Sequence, residues 1–460
     1  MLEIRSGSKD LAGINCQGFT RRSALKAGFL GLMGLSASDL IRLRAEGKAK
    51  RNNKSVILIW LDGGPSHMET YDPKPDSPKE YRGPWLDMAT NVPGIRISEK
   101  LPLHAKHADK MAFLRSVHHN NGDHFAAAHW MLTGRFGSTS TSQAQKYPSV
   151  GSFVSRVKGA NVVGLPAYVG LPAAHSVYLY PGYQGAAYLG QGYNPFQVNM
   201  EQRYLAGAGK PDIQKAPCLE NFGGETGRTR GRVGLLSGLD QLNRKLDQSR
   251  NMETMDRYQQ EAVDMVLGGK AREAFDMEKE SAKTRDSYGR GPWGHYTLMA
   301  RRLVEAGVSF VTVDMPHWDT HSMIREALEA RLPYLDMAVA GLMQDLKDRG
   351  MFDDVLVVVM GEFGRTPKLN DGQPGIAVPG RDHWGQAMSV MMAGGGLKMG
   401  QVVGSTDSKA EAPSDRPLTP GDVLATIYHV LGIDPNIAFP DFAGRPVPII
   451  DQGTAIKELI

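Results

Sequence analysis

The sequence predicts an α/β protein built on a mostly parallel sheet with helices on both faces, and three apolar runs with their flanks predict it. Residues 55–60 (SVILIW), 308–313 (VSFVTV) and 355–360 (VLVVVM) are short, continuous and rich in β-branched side chains. That is the pattern of strands buried on both faces, as in parallel sheets. Each run ends in a polar loop: Asp62-Gly63-Gly64 after the first, Asp314 with 315–321 (MPHWDTH) after the second, and 361–367 (GEFGRTP) after the third. Helical patterns precede the later two, at 296–306 (YTLMARRLVEA) and 335–349. Such alternation implies parallel strands joined by crossover helices, with the ligand site beyond the strands' carboxyl ends. All three polar loops fall on that edge.

The N-terminus reads as an address. Residues 20–26 (TRRSALK) carry a twin-arginine pair, followed by the apolar stretch 27–38 (AGFLGLMGLSAS). That stretch is too short and glycine-rich to span a bilayer about 30 Å thick at about 1.5 Å per residue. Residues 1–45 are therefore expected to be an export signal and linker, removed on a twin-arginine route that carries folded proteins to the periplasm or beyond. Residues 54–460 are expected to form a single domain. Within it, 134–227 reads as a loop-rich insertion and 232–282 as a charged helical segment. Residues 420–431 read as a closing helix stopped by Gly432. No later stretch is apolar and long enough to span, so no integral membrane segment is expected in the mature protein. Two cysteines, Cys16 and Cys218, cannot build a disulfide framework. A formal charge of +4 over 460 residues, partly from the basic run at 48–54, makes no case for nucleic acid.

The histidines gather in groups. His118, His119, His124 and His129 fall together, His317 and His321 flank Asp319, and His383 follows Asp382. Imidazole nitrogens beside carboxylates in strand-end loops are the donor set for zinc, and the carboxylates also suit manganese, iron or calcium. Asp62 and Glu362 end the other strands and join this candidate set. Arg365, three residues past Glu362, can grip an anion in a fork. His118 and His119 line the site or cap a helix. Asp72-Pro73-Lys74-Pro75-Asp76 reads as a stiff turn, and Trp318 and Trp384 as loop packing.

Several of these stretches resemble alkaline-phosphatase and sulfatase-type proteins. More closely, 63–78 (GGPSHMETYDPKPDSP), 274–281 (AFDMEKES), 300–313 (ARRLVEAGVSFVTV), 317–321 (HWDTH), 361–370 (GEFGRTPKLN) and 380–384 (GRDHW) together resemble the domain-of-unknown-function 1501 family. The resemblance covers nearly the whole chain after the signal. It implies an alkaline-phosphatase-like three-layer sandwich that holds one or two divalent ions, zinc first. It further implies metal ligation by Asp62, Asp319, His321, Glu362 and His383, with His67, His118, His317 and Asp382 around them. Two departures stand out. Phe363 occupies the place of a ligand histidine. At the helix start in 122–135 (GDHFAAAHWMLTGR), His124 stands where sulfatases carry a nucleophilic Cys or Ser. His124 is then a metal ligand or itself the nucleophile, with Ser66, Ser116 or a cation-acidified water as other sources of attack.

Two functions follow as expectations. One is an exported metal-dependent hydrolase of phosphate or sulfate esters, acting on a small anionic ester or a sulfated or phosphorylated glycan. The other is a non-catalytic protein that keeps the scaffold and a metal to bind an anion or glycan.

Overall fold

The computed structural model describes residues 52–137, 145–172, 184–197 and 269–460. The twin-arginine stretch, the apolar run after it, both cysteines and most of 232–282 lie outside the described residues.

Among the described residues, eight strands form the central sheet: β1 (Ser55–Trp60), β2 (Met111–Val117), β3 (Tyr168–Leu171), β4 (Phe196–Gln197), β5 (Phe310–Asp314), β6 (Val355–Met360), β7 (Met388–Gly394) and β8 (Gln401–Val403). Their order across the sheet is β8-β2-β7-β6-β1-β5-β3-β4. Only β7 runs against its neighbours, pairing antiparallel with both β2 and β6; every other pairing is parallel. The apolar runs become the three central strands. Register sets Ile57 beside Val311 and Val357, and Ile59 beside Val313 and Val359.

Those side chains share one face with helices α3 (Pro292–Ala306) and α4 (Leu332–Asp348) in a single apolar cluster. The alternate residues Val56, Leu58, Phe310 and Val358 are equally buried on the other face. There α2 (Val150–Val157) packs on β3 and β5, and α1 (His124–Thr133) packs on α5 (Pro420–Leu431). The three layers follow from strands that are apolar on both sides. Capping chemistry sets the helix ends: α5 begins with a Thr419–Asp422 capping box and stops at Gly432 in the left-handed region. No helix among the described residues is long and apolar enough to cross a membrane.

One expectation needs correction. The described parts of 134–227 are not merely loop: they contribute α2 and the sheet strands β3 and β4. β3 is four residues long, with Pro166 two residues before it and Pro172 directly after. An interior parallel strand needs only a short apolar run, and dense Gly and Pro around it hide that signal.

Candidate metal centre

Because β1, β5 and β6 run the same way, Asp62, the 315–321 loop and Glu362 emerge at one edge. β2 delivers His118 and His119 to that edge. The reversed β7 begins there, so the residues just before it, His383 among them, reach the same place. Backbone approach is close. Gly63 has φ 110°, and a Cβ there would fall 2.7 Å from the Asp319 backbone nitrogen. A Cβ at Gly64 would strike the Phe363 ring at 2.4 Å. Glycine is needed at both positions for the three loops to meet.

The side chains of His124, Asp319 and His383 converge, with ligand atoms all within 4.8 Å of one another. His321 joins them, its Nε2 lying 3.0 Å from Asp319 Oδ1 and 2.8 Å from His383 Nε2. His383 Nε2 is 3.1 Å from the same carboxylate oxygen, and His124 Nε2 is 3.5 Å from Asp319 Oδ2. The opposite ring nitrogens settle the tautomers. His321 Nδ1 donates to Asp382 Oδ1 at 2.6 Å, His383 Nδ1 to the Gly122 carbonyl at 2.7 Å, and His124 Nδ1 to Glu362 Oε1 at 2.8 Å. Each acceptor fixes a proton on Nδ1, so in the neutral rings all three Nε2 lone pairs face Asp319. Metal-ligating histidines show this pattern, with a carboxylate or carbonyl holding the far nitrogen.

Electrostatics point the same way. Burial disfavours charge on His124, but hydrogen bonds to Asp319 and Glu362 outweigh it and lift its pKa to about 9. Burial works against the Asp319 carboxylate too, yet hydrogen bonds from His124 and His383 and the Arg365 charge hold it far below the usual carboxylate range. Glu362 is 0% exposed; Oε1 accepts from Gly63 N–H at 2.9 Å, while Oε2 is buried without a hydrogen-bond partner among the described residues. Imidazole lone pairs crowded around the Asp319 carboxylate fit a divalent cation, and the mixed N/O set suits zinc.

The remaining expected residues distribute around this centre. Asp62 is buried at the end of β1, its N–H donating to Met315 and its carbonyl accepting from Trp318. Asp62 and Glu362 stand outside the compact group, and Glu362 instead orients His124. Asp382 does the same for His321. His67 is buried against the same loop as Glu362, with Nε2 on the Ala410 carbonyl at 3.1 Å and Nδ1 2.7 Å from where a Cβ on Gly364 would fall. His118 Nδ1 faces the Ser116 carbonyl. His317 has φ 74°, and burial lowers its pKa.

Arg365 departs from the expected anion-binding role. It is fully buried and donates to the carbonyls of Gly63, Gly64 and Arg381 and, at 2.6 Å, to Asp319 Oδ1. Its fork is spent inside the protein, where it anchors Asp319 and ties three loops together.

Phe363, in the place of an expected imidazole, stacks on His383 at 4.6 Å and lies 4.9 Å from the His124 ring. It forms an apolar inner wall behind two of the imidazoles. Ser66 Oγ donates to Glu69 and Ser116 Oγ to the Arg416 carbonyl, so neither hydroxyl is turned to the cluster. Trp318 is buried and stacks on Trp293, and the 72–76 turn is tied by Asp72 to Lys74 and Arg115.

Two further residues support the centre. His119 Nδ1 accepts from the Asn121 N–H, so its Nε2 carries the proton and donates to the Glu362 carbonyl at 2.7 Å; burial keeps this ring neutral by lowering its pKa. Asn370 donates to the His321 carbonyl and to Asp382. The only sequence signal for it is its place in Asn370-Asp371-Gly372, which reads simply as a turn.

A family model described as "Protein of unknown function (DUF1501)" matches residues 53–460. Several solved structures are similar at a distance. The PsFucS1 sulfatase from Pseudoalteromonas sp. shares 14% identity over 86% of this chain and 71% of that one, with a TM-score of 0.39. The lipoteichoic acid synthase LtaP from Listeria monocytogenes shares 10%, over 85% and 78%, with a TM-score of 0.38. The alkaline phosphatase from the Antarctic bacterium TAB5 shares 12%, over 84% and 99%, with a TM-score of 0.36. Likenesses this distant say nothing about what this chain acts on. No curated protein matches the sequence.

Proposed function

This chain belongs to the DUF1501 family of proteins of unknown function, and we propose that it is an exported, divalent-metal-dependent hydrolase of phosphate or sulfate esters. The observation that carries this reading is the convergence on Asp319 of three imidazoles, each with its far nitrogen already committed. A cation held by His124, Asp319, His321 and His383 would supply positive charge to the oxygens of a bound ester and to its leaving group.

The protein's own residues prepare that place. Glu362, Asp382 and the Gly122 carbonyl hold the rings in the ligating tautomer. Arg365 fixes Asp319 from below, and Phe363 keeps water from the inner side. With both His124 nitrogens directed at carboxylates, the attacking group in this reading is water. Its oxygen bonds to phosphorus or sulfur, the ester bond breaks, and the alcohol leaves with a proton.

A second reading, metal-assisted binding of an anion or glycan without turnover, draws support from one observation. No hydroxyl or thiol stands at the start of α1, and Ser66 and Ser116 are engaged elsewhere. One experiment separates the two: metal analysis of the purified protein with turnover of aryl phosphate and aryl sulfate, using Asp319→Asn and His383→Ala as controls. The hydrolase reading expects turnover that both substitutions and a chelator abolish. Bound metal without substitution-sensitive turnover would leave the binding protein.

Export rests on Arg21, Arg22 and the apolar stretch after them. Replacing both arginines by lysine is expected to retain the protein in the cytoplasm on fractionation; unchanged export would remove the twin-arginine route.

A further inference from the structure

Two segments that pack beside His321 carry exposed apolar side chains that the ligand arrangement does not use. Met323, Ile376 and Val378 are 39, 41 and 37% exposed. Backbone pairing draws two segments together here: Met323 N–H donates to the Val378 carbonyl at 3.2 Å, and Ile324 N–H to the Pro379 carbonyl at 3.1 Å. Met323 sits in the left-handed region at φ 53°, uncommon for a side-chain-bearing residue.

The patch is tied to the centre. Asn370 Nδ2 donates to the His321 carbonyl at 3.0 Å and to Asp382 Oδ1 at 3.2 Å, while its Oδ1 accepts from Gly372 at 2.9 Å and Gly380 at 2.8 Å. Both ends of the 371–380 loop are thereby pinned, through Asn370, to His321 and to the Asp382 carboxylate that holds its imidazole. A Cβ on Gly380 would come within 2.2 Å of the His321 carbonyl carbon, so the loop packs directly on that residue. His321 is partly open to solvent and precedes Met323 by two residues.

We propose that Met323, Ile376 and Val378 form a subsite for an apolar alkyl portion of the ester, so that the substrate is a phosphate or sulfate ester of an apolar alcohol and not of a sugar. This rests on the hydrolase site proposed above, whose centre would hold the charged end. Clustered exposed apolar side chains next to a polar centre mark a binding surface. These three are aliphatic or thioether, adaptable to a chain, and offer no aromatic face on which a sugar ring stacks. Binding a remote, non-reacting part of a substrate is one source of energy for orienting the reacting end.

The test uses non-hydrolysable ligands, so it does not need turnover. Affinities of ethylphosphonate and octylphosphonate for the zinc-loaded protein are measured by calorimetry, below the octyl compound's aggregation threshold. Burial of a methylene is worth about fourfold in affinity, so covering three methylenes predicts about 60-fold tighter binding of the octyl compound. The exposed double variant Ile376→Ser, Val378→Ser is expected to bring octyl affinity close to ethyl affinity and leave ethyl affinity unchanged. Equal affinities in the wild type, a preference the double variant retains, or no binding of either ligand would overturn the subsite. Octyl preference lost in the variant, together with no turnover of any ester, would keep the subsite and reject the hydrolase reading.

Discussion

Two charge clusters among the described residues, each centred on a fully buried arginine, are built on opposite rules. Between α3 and α4, the buried Arg301 bridges Glu280 at 2.5 Å, Asp345 at 2.8 Å and Glu305; Arg302 also meets Glu280, and Arg349 meets Asp345 at 2.7 Å and Glu305 at 2.8 Å. Three guanidiniums face three carboxylates, and the cluster neutralises itself. At the sheet edge, Asp319, Glu362 and Asp382 face a single guanidinium, Arg365. With neutral imidazoles, two negative charges remain, which a divalent cation offsets. A fixed arginine serves a structural cluster, whereas a site that must take a guest leaves its charge open. In the ion-free protein a proton on His124 partly fills the role.

Four outcomes would break or sharpen that contrast. The largest is in stability: Arg301→Ala removes the one fully buried guanidinium that three carboxylates share, leaving them only Arg302 and Arg349, and is expected to destabilise by about 3 kcal/mol in denaturant titration, with metal affinity unchanged. A change in metal affinity there would join the two clusters. Next, Asp319→Asn is expected to weaken metal binding more than about 100-fold, beyond the loss typical of an outer partner, as read by competition with a chromophoric chelator. Retained affinity would remove Asp319 from the ligands. Third, Asp382→Asn keeps the shape but weakens the hold on His321 Nδ1, and is expected to cost about 10–100-fold in the same assay. An unaltered affinity would make Asp382 a bystander.

The smallest effect is in pH. His124 has a pKa raised to about 9 in the folded, ion-free protein, against about 6.5 unperturbed. Its contribution to ion-free stability is therefore complete below about 6.5 and is lost as pH rises through about 9. Metal requires the neutral ring, so binding near neutrality releases that proton, and affinity is expected to rise about tenfold from pH 7 to pH 8. Calorimetry in buffers of different ionisation enthalpy reads the proton directly. Binding without proton release would place His124 outside the ligand set.

Much of the framework was legible in the chain. β1 and β6 occupy the spans that their apolar runs mark, and β5 starts two residues later than its run. α3 starts four residues earlier than its periodic pattern, at Pro292, because proline is well suited to a helix's first turn. β3 escaped notice among prolines and glycines. In the site, Asp319, His321 and His383 announced themselves by residue type and loop position. The part played by Arg365 did not, since an arginine beside acidic loops reads alike whether it faces solvent or lies beneath them. Nor did Asn370, whose turn signature says nothing of the His321 carbonyl 49 residues away.

Local sequence was enough for the strands, the helix caps and the edge to which the polar loops go, because periodicity, capping and strand direction are short-range properties of the chain. Which nitrogen of each histidine faces the centre, which carboxylate sits among the imidazoles and which lies behind one, and where Arg365 spends its donors were decided only in three dimensions. Those choices depend on a single acceptor, often hundreds of residues distant, being brought within about 3 Å, the range in which a hydrogen bond can fix a proton.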